Sequence, residues 1–75
     1  MKNTMTIEET EIYIRGYIHD STNEFTKDLL ARAERELISC MIGIDFDTPD
    51  EWMSAHRYLT GVIYDELGKK LMAEF

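Results

Sequence analysis

The stretch from Phe25 to Gly43 constrains the fold of this chain more than any other. Phe25, Leu29, Ala33, Leu37, Cys40 and Met41 recur three or four residues apart, the spacing at which an α-helix gathers side chains onto one face. A strand, with its period of two, would scatter the same residues over both faces. Leu30 widens the stripe, and Gly43 follows as a stop signal. Asp20, Ser21 or Thr22 can cap the start, with Ser21 and Glu24 at capping-box spacing. The same helix carries a second, smaller apolar strip of Ala31, Ile38 and Ile42. A helix apolar on two sides either lies between two neighbours or meets a partner. In a three-helix domain the first arrangement is the expected one.

Two further helices flank this one. At "TIEE" Thr6 can cap, Glu9 can return the bond to the Thr6 amide, and Ile7, Ile14 and Ile18 follow at helical spacing. Glu11 stands four residues before Arg15, the favourable order for a helical ion pair. "IYIRGYI" competes with this reading, because its β-formers also alternate with period two and Gly16 costs a helix interior about 1 kcal/mol relative to Ala. The capping box and the charge pair favour helix. In "TPDE", Thr48 stands at a cap, Pro49 at the first helical position and Glu51 at the place that closes a capping box. Trp52, Ala55, His56, Leu59, Val62, Ile63 and Leu67 then form a stripe. An unbroken helix would place Lys70 in its centre, so Gly68 is expected to end it, leaving a short tail packed through Leu71 and Phe75. The expectation is an all-α, compact three-helix domain spanning 1–75, with helices over roughly 7–19, 22–42 and 49–67. Leu29, Ala33, Leu37, Trp52, Leu59 and Ile63 are its predicted central residues.

Fifteen acidic residues against eight Lys and Arg give a net charge of −7 on 75 residues. That field repels nucleic-acid phosphates and anionic lipid, so neither is expected as a direct partner. It suits a basic protein, and it also suits simple solubility. With a single cysteine, Cys40, no intramolecular disulfide can form, which fits a reducing, cytoplasmic setting. No signal-peptide pattern opens the chain, and its apolar runs are too short for a membrane span.

Catalytic and metal chemistry find little support in the sequence. Counting an EF-hand loop from Asp45 places Pro49, Asp50 and His56 at the third acidic, glycine and closing positions, which excludes the motif. His19, His56 and Cys40 are too few and too scattered for structural zinc. His19 suits a helix C-terminus, His56 borders an apolar face, and Cys40 reads as a small buried hydrophobe. The glycines are dispersed, so no phosphate-binding loop exists. The expectation is a non-enzymatic chain with no cofactor and no metal.

A narrower set of residues resists a purely structural reading. Asp50 and Glu51 serve the helix start, whereas Asp45 and Asp47 flank Phe46 in the connection and close no cap. Asp45, Phe46, Asp47, Asp50 and Glu51 are therefore expected to form one electronegative corner with Phe46 as its apolar anchor. Glu8, Glu9 and Glu11 form a second acidic group. Carboxylates interspersed with aromatics suit an arginine-rich partner. Ala31, Ile38 and Ile42 are candidates for a second interface.

"MTIEETEIYIR", "STNEFTKDLLARAERELI" and the Pro-started "TPDEWMSAHRYLTGVIYDE" together resemble the core of small phage head–tail connector proteins of the head-completion type. The resemblance implies oligomeric rings at a capsid portal and no catalysis. Those proteins are usually longer, with an added segment between helices and a C-terminal assembly arm. By type, and not by motif, the chain is also similar to small acidic phage proteins that inhibit host nucleic-acid machinery, including CRISPR effectors, by occupying basic channels. The expected function is thus binding to a basic, nucleic-acid-handling host protein. The alternative is a connector subunit that forms homo-oligomers.

Overall fold

The computed structural model describes residues 5–21 and 26–73. Three helices, α1 (Ile7–Asp20), α2 (Thr26–Ile42) and α3 (Pro49–Ala73), each pack against the other two, and no strand occurs among the described residues. The fold is all-α, as the apolar spacing requires.

Helix α1 begins with the expected capping box. The Glu9 amide donates to Thr6 Oγ1 at 3.0 Å, and the Thr6 amide donates to Glu9 Oε1 at 2.9 Å. The competition between helix and strand in "IYIRGYI" is settled by which isoleucines are buried. Ile14 and Ile18, four residues apart, are fully enclosed, while Ile12 is 71% exposed. A strand would have put all three on one face. The buried Thr10 side chain satisfies its hydroxyl internally by donating to the Thr6 carbonyl at 2.9 Å.

Ser21 belongs to the end of α1 and not to the start of α2. Its amide donates to the Ile18 carbonyl at 3.2 Å and its hydroxyl to the Tyr17 carbonyl at 2.7 Å. Asp20 is the last residue of α1. The other residues expected to open α2, Thr22 and Glu24, and the first residue of its stripe, Phe25, lie outside the described residues. Within α2 the stripe is as expected: Leu29, Ala33, Leu37 and Met41 are buried, with Leu30 packed beside them. Cys40 is half-buried. Past Ile42 the chain tightens, the Gly43 and Ile44 amides donating three residues back to the Cys40 and Met41 carbonyls at 3.0 and 3.1 Å.

Helix α3 departs from expectation at both ends. Thr48 caps it, accepting from the Glu51 amide at 3.2 Å, but the Glu51 carboxylate reaches the Asp47 amide at 3.4 Å where the Thr48 amide was expected. Trp52 is not a core residue. It lies one turn ahead of Ala55, the first buried residue of α3, stays 36% exposed and stacks on His56 with ring centroids 5.0 Å apart. Its angle on the helix is that of the stripe, but its height along the axis is beyond the cover of the other helices.

At the other end α3 runs through Gly68 to Ala73, so the described part of the expected tail is helix, with Leu71 37% exposed. Lys70 does fall in line with the stripe, and the structure uses it. Its half-buried stem carries the ammonium to the Ser21 carbonyl at the end of α1, a cation placed where the helix leaves its carbonyls unpaired. Phe75 lies outside the described residues.

Because Gly68 is helical and a Cβ there would meet nothing within 4 Å, Gly68→Ala should stabilise the fold by about 0.5–1 kcal/mol in a urea melt. A loss of stability would restore Gly68 as a helix terminator.

Candidate partner-binding surface

The connection from Gly43 to Thr48 decides the character of the acidic corner. Along it exposure alternates: Ile44 and Phe46 pack against the core, while Asp45 and Asp47 face solvent. Phe46 is therefore half-buried and does not project as an anchor. It forms one wall of a groove, together with Ile7 of α1 and Ala55 and Tyr58 of α3. Asp50, Glu51 and Ser54, all exposed, complete the lining. The groove spans about 440 Å³, and no described residue lining it is basic. The structure thus reverses the expected sense of the corner: it offers an apolar depression with acids around it, not an apolar knob.

The second acidic group divides into three roles. Glu8 is exposed in the first turn of α1, beside the groove residue Ile7. Glu9 is committed to the capping box. Glu11 is committed to the seam between α1 and α3, accepting from the Tyr58 hydroxyl at 2.6 Å and from Arg15 Nε at 3.1 Å. The Tyr58 hydrogen bond and then the Arg15 guanidinium hold the Glu11 carboxyl below its ordinary range. The same bond pushes the Tyr58 hydroxyl up, so Tyr58 stays neutral as the groove's far wall. Glu11 is accordingly a positioning group at the seam between α1 and α3.

Arg15 completes that seam by donating from Nη1 to Asp65 at 2.9 Å and to Glu66 at 2.7 Å, both on α3. These bonds, with that to Glu11, raise its already high pKa further. Lys69 approaches the same two carboxylates at 3.3 and 3.6 Å. Asp65 is held below its ordinary range by Arg15 first and Lys69 second. Sequence reasoning found the Glu11–Arg15 pair from its spacing but not these partners, which lie fifty residues away along the chain.

The second expected interface has a different outcome. Ala31, Ile38 and Ile42 do not lie between two neighbours: all three face solvent, Ile38 at 40% and Ile42 at 81% exposure. They stand opposite the buried stripe of α2, so α1 and α3 cannot cover them. Trp52, Met53, His56, Arg57 and Thr60 line a further exposed patch on α3. That patch was hidden from sequence reasoning because Trp52 and His56 share the angular position of the core stripe.

Among the described residues no group of three or more His, Cys, Asp or Glu is placed to hold a metal ion, and no helix is long and apolar enough to cross a membrane. Burial, and then the charge of Glu36, pushes the half-buried Cys40 thiol above its ordinary range. Compared with known proteins, the chain matches no family model, no curated protein and no solved structure.

The seam carboxylates make a pH-dependent contribution of known sign. Glu11 and Asp65 have folded pKa values below their unfolded ones, so the stability they provide is present above the unfolded values, about 4.3 and 3.9. It is lost as pH falls through the folded values. Glu11→Gln should therefore lower stability at about pH 7 and narrow the gap in urea midpoint between about pH 7 and pH 3. An unchanged gap would remove Glu11 from the acid response.

Proposed function

We propose that this chain is a non-enzymatic binding module whose acidic end, where α1 and α3 begin, receives a basic surface of another protein. The observation that supports this most directly is how the carboxylates are distributed. Glu9, Glu11, Asp65 and Glu66 are engaged in a cap or in the Arg15 cluster. Glu8, Asp47 and Asp50 are exposed at or next to the groove, with Asp45 exposed beside Phe46 and Glu51 exposed while it accepts from the Asp47 amide. A net charge of −7 extends the attraction beyond contact range and favours cationic partners during encounter. The partner class that best combines a strongly basic surface with apolar contacts is a protein that handles nucleic acid. On this reading the chain acts in the cytoplasm as a decoy that occupies a basic channel, in the manner of small acidic phage inhibitors.

A second reading draws on a different observation, the solvent-facing Ala31, Ile38 and Ile42. An apolar helix face flanked by Glu34 and Arg35 suits side-by-side assembly of copies, as the connector resemblance implies. The two faces lie on different parts of the molecule and can be tested apart.

Replacing both Asp45 and Asp47 by Lys tests the first reading. Neither side chain closes a cap, and the urea melt of the variant, read beside its binding, should remain a single cooperative transition. Proteins retained from a host lysate by the unaltered chain should be basic, released by salt and displaced by DNA. The reversed variant should bind them about tenfold or more weakly. Retained partners that are neutral or acidic, held equally well at high salt, would overturn the reading.

A further inference from the structure

The groove narrows the partner's chemistry beyond positive charge. A surface that only neutralised phosphate-binding arginines would need carboxylates and no depression. Here Ile7, Phe46, Ala55 and Tyr58 form an apolar floor and walls, with Asp50 and Glu51 on the rim. The walls come from separate elements, each held by its own contacts. Ile7 follows directly on the capping residue of α1, Phe46 packs against the core, and Tyr58 is held by its hydrogen bond to Glu11. Ile7 remains 38% exposed at this edge. Walls held in this way, Phe46 and Tyr58 above all, need less ordering on binding, which favours affinity.

We infer that the groove seats apolar side chains of an amphipathic, basic helical segment, whose Lys or Arg residues then meet Asp47, Asp50 and Glu51. The inference rests on the reading of the acidic end as the binding face. The charge complementarity selects the occupant: an apolar stripe alone would leave the acidic rim facing an uncharged surface, and a basic segment without the stripe would leave the groove wet. Helix-in-groove recognition of this kind places anchors at positions i, i+3, i+4 and i+7.

The probe is a fluorescently labelled peptide of lysines and leucines with the leucines at that spacing. Its control is a scrambled isomer of identical composition, and both are followed by anisotropy. The amphipathic isomer should bind about tenfold or more tightly than the scrambled one. Ser54→Trp, at an exposed lining position, should fill the groove and abolish that difference, leaving the weak, salt-sensitive binding of both peptides. Ile7→Ser gives an independent reading should the tryptophan variant fold poorly by circular dichroism. Asp47→Lys combined with Asp50→Lys should weaken both peptides. Equal binding of the two isomers, or an amphipathic preference that survives both groove variants, would overturn the groove inference while leaving the acidic face standing. Binding indifferent to the double reversal would overturn the acidic face itself.

Discussion

Arg15 joins α1 to α3 by collecting three carboxylates, Glu11 from its own helix and Asp65 and Glu66 from the other. Individual exposed ion pairs contribute only about 0–1 kcal/mol, so the network's value lies less in energy than in geometry. The planar guanidinium can satisfy several acceptors only in a narrow set of positions, which fixes how α1 sits along α3. The apolar contacts of Ile14, Ile18, Leu59 and Ile63 supply the driving force, but apolar packing tolerates sliding more readily than a shared guanidinium does. In a chain of 75 residues with seven surplus negative charges, the same network removes repulsion where two acid-bearing helices run side by side.

The candidate surface depends on that seam. Glu11 is bound at once by Arg15 and by the Tyr58 hydroxyl, so the group that helps dock α1 also positions a wall of the groove. The carboxylates at the seam are bound by Arg15, Lys69 and Tyr58, while at the helix starts Glu9 and Glu51 also accept from backbone amides and Asp50 lines an apolar depression. The N-terminal ends of α1 and α3 tolerate acids because their unpaired amides favour negative charge. Acidic residues can therefore gather there without destabilising either helix, and on the proposed reading that tolerance is what function exploits.

Much of the fold was legible because short-range rules govern it. The Thr6–Glu9 box, the Thr48 cap, the Leu29–Ala33–Leu37 stripe and the Glu11–Arg15 pair all follow from spacing within one or two turns. What could not be read depends on distances between helices. Trp52 has the angle of the stripe but lies one turn ahead of its buried part, Lys70 finds its partner at the end of a different helix, and Gly68 continues a helix that the position of Lys70 predicts to stop. Phe46 departs from the sequence expectation for a similar reason. A loop residue between two aspartates reads as exposed, yet Ile44 and Phe46 turn toward the core while Asp45 and Asp47 face solvent. The acidic residues of the corner were legible as a group, whereas the groove was not, because Ile7 and Tyr58 come from helices far apart in sequence.

The most direct test of the central claim is an amide chemical-shift map of the isotopically labelled chain titrated with the lysine–leucine amphipathic peptide. The account predicts that the largest changes cluster at Ile7, Glu8, Phe46, Asp47, Asp50, Ser54 and Tyr58, with the outer face of α2 silent. Changes centred on Ala31, Ile38 and Ile42, with the acidic end unaffected, would contradict it and make α2 the working face.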